Sequence, residues 1–95
     1  MNLKNIHPEE KTLSLKTIFK AEDGQLISLK MKFDEVMKEH ITHNMAMLIC
    51  LEGEVVYSEH TGLSRTLHEG DFVEIPRMVP HKLKALQDSE LLLFK

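Results

Sequence analysis

Apolar and polar residues alternate with a period of two along most of the chain, the spacing of half-buried β-strands. TLSLKTIFK (12–20) sets Leu13, Leu15, Thr17 and Phe19 on one face, and QLISLKMKF (25–33) repeats the pattern through Ile27, Leu29, Met31 and Phe33. AEDG (21–24) between them predicts a turn and hence a hairpin. MAMLICL (45–51) is apolar on both faces and predicts a central strand, which EG (52–53) turns into EVVYSEH (54–60) as a second hairpin. RTLHE (65–69), FVEI (72–75), HKLKAL (81–86) and LLLF (91–94) follow, separated by short polar turns. Only DEVMKEHITHNMAM (34–47) fits helical spacing as well as strand spacing, and its all-β surroundings favour an irregular strand. Short strands with Gly or Asp turns between them predict an all-β sandwich or barrel over residues 12–95, preceded by a polar arm at 1–11.

Within this pattern, GDFVEIPRMVPH (70–81) is the most specific segment. Gly70 and Asp71 turn the chain, and Pro76 ends the strand because it has no N–H to donate. Pro80 restrains the backbone before His81, so that imidazole is placed to point into a barrel.

Composition narrows the function classes. A net charge of −3, a pI near 6.0 and scattered Lys and Arg argue against a nucleic-acid or anionic-membrane partner. The N-terminus lacks the apolar stretch of a signal peptide and no run reaches membrane-spanning length, so a cytoplasmic location is expected. Cys50 lies in an apolar run and reads as a buried, inert thiol. Met45, Met47 and Met78 read as fillers of irregular gaps, and His7, His60 and His68 as surface residues. Glu52, Glu54, Glu69, Asp71 and Glu74 fall on turns or outward positions, so no carboxylate pair for acid–base chemistry stands out.

Gly70, Pro76 and His81, preceded by Leu67 and followed by Asp71, match the second motif of the cupins, with Met78 in place of its second glycine and Ala85 in place of its asparagine. The LEGEV turn at 51–55 is typical of the same family. Anchored on Gly53, the first motif puts His40 on its first histidine, Thr42 on its second and Ala46 on its glutamate. The chain thus resembles a small single-domain cupin, which implies an all-β, double-stranded β-helix (jelly-roll) barrel. In that family the motif histidines and glutamate commonly hold one divalent metal inside the barrel. By resemblance, His40 and His81 are metal-ligand candidates here, with Zn, Fe, Ni, Mn or Cu as the ion. His43 is a third candidate if a bulge or a non-strand turn at ITHN brings it inward; otherwise it is a solvated turn residue.

Simple alternation from the motif residues lines the lumen with His40, Thr42, Ala46, Leu48, Cys50, Val73, Ile75, His81, Leu83 and Ala85. Mostly apolar with a few polar groups, this is the composition of a small-molecule pocket. Two functions follow: a metal- or small-molecule-binding barrel with metal-dependent, dioxygenase- or isomerase-like activity, or a metal-free, non-catalytic ligand-binding or stress-related module. The resemblance also implies a homodimer, for which strand 12–20 is a candidate contact.

Overall fold

The computed structural model describes residues 1–95. After a short 3-10 turn at Leu3–Asn5, nine strands follow: β1 (Leu13–Ala21), β2 (Gly24–Met31), β3 (Val36–His40), β4 (Ala46–Glu52), β5 (Val55–Glu59), β6 (Ser64–Leu67), β7 (Phe72–Ile75), β8 (His81–Ala85) and β9 (Ser89–Phe94). They form two antiparallel sheets, β1-β2-β9-β4-β7 and β3-β8-β5-β6, and the chain repeatedly passes between them as in a jelly roll. The alternation read from sequence holds in β4, β8 and β9, where every second residue is buried. Their inward side chains form one core: Leu29, Leu48, Cys50, Val55, Tyr57 and Leu91 are among its fully enclosed members.

Three expectations change. EG at 52–53 does not close a hairpin, because β4 pairs with β7 and β9 while β5 pairs with β6 and β8. Gly53 instead carries the chain from one sheet to the other at φ +95°, with a Cβ at this position coming within 2.5 Å of the Asp88 carbonyl oxygen. That conformation and that closeness both demand glycine.

The single face of 12–20 is broken by a bulge. Thr17 pairs with Ile27 but Phe19 pairs with Leu26, so β1 carries one extra residue there. One added residue reverses the alternation. Phe19 therefore points outward and is exposed, and Phe33, beyond the end of β2, is exposed as well.

His7 is not a surface residue. It is buried on the outer face of the larger sheet, with Nδ1 2.7 Å from Ser14 Oγ and Nε2 2.9 Å from Ser28 Oγ. Its burial lowers the pKa of the imidazole. The arm thereby crosses its own sheet, and Lys4 Nζ lies 3.6 Å from Glu52 at the far side. No helix is long and apolar enough to cross a membrane.

Candidate functional site at the barrel mouth

The ends of β3 and β5 and the start of β8 meet at one mouth of the barrel. His81 pairs with His40 on one side and with Glu59 on the other, so the three lie in one cross-strand row. A second bulge produces this row: between Met37 and His40, β3 has one residue more than β8, which returns His40 to the phase of Met37. The irregularity that sequence reasoning placed after His40 precedes it instead. The chain then leaves the strand, and the ITHN segment is a loop.

Both imidazoles are held through Nδ1. His40 Nδ1 lies 2.9 Å from the Lys38 carbonyl and His81 Nδ1 3.0 Å from the Val79 carbonyl. A carbonyl oxygen only accepts, so each Nδ1 carries the hydrogen and Nε2 is the lone-pair nitrogen of the neutral ring. The ring centroids are 4.3 Å apart. His81 is buried, and burial pushes its pKa down; His40 acts in the same direction, whereas the Val79 carbonyl and Glu59 oppose it. Thr42 Oγ1 alone among buried side-chain nitrogen and oxygen atoms lacks a partner. His81 Nε2 has no hydrogen-bond partner within the chain.

Beneath the histidines, Tyr57 fills the lumen. It is fully enclosed, its ring centroid is 5.8 Å from that of His81, and its hydroxyl donates to Glu59 Oε2 at 2.6 Å. Burial, reinforced by Glu59, pushes the Tyr57 pKa well up and keeps the phenol protonated. Neither Tyr57 nor Glu59 stood out in the sequence. Both continue the inward alternation from Val55, which was the signal available.

The histidine candidates do not all converge. His43 is exposed on the loop and lines a different groove, of about 590 Å3, between the β1–β2 hairpin and residues 41–44. Thr42, in the position of the second motif histidine, is the loop residue that turns inward. Its carbonyl accepts from Met78 N–H at 2.7 Å, tying the two loops of the mouth together. No three His, Cys, Asp or Glu side chains are grouped so as to hold a metal ion. With Thr42 at the second-histidine position, Ala46 at the glutamate position and His43 exposed on the loop, the residues present do not make up the metal centre that the motifs imply.

The other expected lumen residues are buried but leave little room. Ala46, Leu48, Cys50, Ile75, Leu83 and Ala85 belong to the packed core, with Val73 packed against it. The three main surface cavities lie elsewhere, and of the expected lining residues only Thr42 and Val73 border them. Tyr57 and its neighbours occupy the volume that alternation alone assigned to a ligand. Cys50 is enclosed and its thiol pKa is raised by burial, as expected of an inert core cysteine.

A family model described as the cupin domain matches residues 29–94, more than half of the chain. The chain belongs to the cupin family. Solved structures agree on the barrel. A cupin superfamily protein from Desulfitobacterium hafniense superposes with a TM-score of 0.87 at 15% identity, covering 98% of this chain and 84% of that one. An RmlC-like cupin from Desulfovibrio desulfuricans gives 0.83 at 19% identity, over 98% and 90%. KdgF from a Halomonas species gives 0.80 at 20% identity, over 93% and 82%. At these identities the likeness concerns the cupin fold and not what the proteins act on. No curated protein matches this cupin in sequence.

Proposed function

We propose that this cupin is a metal-free, small-molecule-binding barrel that takes its ligand at the mouth, against His40, His81 and Glu59. The observation that carries this reading is the tautomer of the two histidines. With each Nδ1–H donated to a main-chain carbonyl, the two rings in their neutral form offer two Nε2 acceptors. Glu59 adds a carboxylate in the same row. A mouth so rich in acceptors recognises a ligand that donates hydrogen bonds, such as a small hydroxylated compound or an amine. The enclosed Tyr57 floor limits that ligand to the mouth.

The test is a thermal-shift screen of chelator-treated protein against small polyols, sugars and amines, with hits measured by calorimetry. Stabilisation that persists in chelator and is lost in His81→Gln and His40→Ala supports the reading. Stabilisation only by Zn, Ni or Fe, abolished by chelator, would replace it with a metal-binding function. A screen without hits would reject ligand binding at this mouth.

A further inference from the structure

The groove between the β1–β2 hairpin and residues 41–44 includes none of His40, Glu59 and His81 in its lining. Its sheet wall is a cross-strand row. Lys20 pairs with Gln25, and Gln25 exchanges both main-chain hydrogen bonds with Lys95, at 2.6 Å and 3.0 Å. Neighbouring strands lie about 4.8 Å apart, so the two lysines are rooted about 10 Å from each other with the Gln25 amide between them. Directly opposed residues of adjacent strands share a face, and all three side chains line the groove. Beyond this row, Glu22 and Asp23 form the turn of the hairpin. None of the four charged side chains has an ion-pair partner in the chain. The facing loop supplies Asn44 and Thr42, and Thr42 carries the buried hydroxyl that lacks a partner.

The groove therefore has two poles, ammonium groups on the sheet row and carboxylates on the hairpin turn. A ligand of one charge leaves the other pole facing its like, whereas a zwitterion matches both. The distance between the poles sets the length of that zwitterion. Glu22 is two residues beyond Lys20, which is about 7 Å along a strand. A free amino acid carries both charges on one carbon and is too short. Two extended residues reach about 7 Å, and three about 10 Å. We propose that the groove is a second binding site, for a free dipeptide or tripeptide held by both ends. Its terminal carboxylate meets Lys20 and Lys95, and its α-ammonium meets Glu22 and Asp23. The amides of Gln25 and Asn44 both donate and accept, as a peptide group between the two ends requires. A groove of about 590 Å3 has room for such a ligand.

Calorimetric titration of the full chain with dialanine and trialanine tests the proposal, with circular dichroism confirming that each variant is folded. Amide NMR shifts locate the site. Binding is expected, with shifts at Gln25, Thr42, Asn44 and Lys95 and none at His81. N-acetylation or C-terminal amidation of the peptide should each weaken binding about fivefold, the scale of an exposed ion pair. In the Lys20→Ala, Lys95→Ala double variant, amidation should cost nothing further. In the Glu22→Gln, Asp23→Asn double variant, acetylation should cost nothing further. This pairing of each peptide end with one pole is a coupling that a general loss of structure does not produce. No binding of either peptide at millimolar concentration would overturn the proposal. So would equal binding of the doubly capped peptide, tighter binding of succinate or putrescine, or shifts centred on His81 and Glu59.

Discussion

The two ends of this barrel follow opposite rules. At the β4–β5 end, polar groups are matched. Ser89 Oγ accepts from Glu54 N–H at 3.0 Å and donates to the Gln87 carbonyl at 2.8 Å. Asp71 Oδ2 accepts from His68 N–H at 2.8 Å, and the tight corner is given to Gly53. At the mouth, Thr42 has an unpartnered hydroxyl, His81 an unbonded Nε2, and Met78 a φ of +60°. The last is notable because Met78 occupies the position of a family glycine. Asp34, at the closed end, also has a positive φ of 72°, but aspartate adopts that conformation far more readily than methionine. The closed end thus matches its polar groups, whereas the mouth retains an unpartnered hydroxyl and a strained methionine, the usual condition of a region that meets ligands.

Substitutions can probe that contrast, beginning with the closed end. Gly53→Ala adds a Cβ against the Asp88–Ser89 backbone at positive φ, so unfolding stability should fall by about 3 kcal/mol or more in denaturant titrations. A loss below about 1 kcal/mol would mean that the corner is less rigid than described. Acidification comes next. His81 and His7 both have folded pKa values below that of the unfolded chain. Below about pH 6.5 the unfolded chain therefore binds more protons than the folded one. Stability should decline as pH falls from 7, levelling off once pH passes below the folded values. His81→Gln should remove the share belonging to the mouth and His7→Gln that of the arm; slopes unchanged in both variants would assign the decline to other groups.

Smaller effects are expected from relieving the mouth. Met78→Gly removes the left-handed strain of a non-glycine residue but loosens the unfolded chain, for a net gain of up to about 1 kcal/mol. Thr42→Val deletes the orphaned hydroxyl and should raise stability by about 0.5 kcal/mol. If a bound ligand uses that hydroxyl, the same substitution weakens binding while the apo protein melts higher. Destabilisation by both variants would erase the contrast between the ends.

The parts legible in the sequence are those set by local pattern. Gly53, Gly70 and His81 follow from turn chemistry and spacing, and the strands follow from alternation. What escaped depends on single-residue slips. The extra residue in β1 sent Phe19 outward, and the extra residue in β3 aligned His40 with His81 while leaving His43 in solvent. No residue type marks either bulge. His7 escaped for another reason: Ser14 and Ser28, its partners, come from two different strands, and only the folded sheet brings them together. The filled lumen was equally hidden, since alternation says that Tyr57 points inward but not how much space remains around it.

β9 is the last strand in sequence but the middle strand of its sheet, bonded to β2 on one side and β4 on the other. During synthesis, these two must wait for β9 before their pairing is complete, with their hydrogen-bonding edges unfilled and their apolar residues uncovered. Such a delay slows folding and exposes the nascent chain to aggregation. This cupin barrel should therefore close late and nearly all at once, when its ninth strand clears the ribosome.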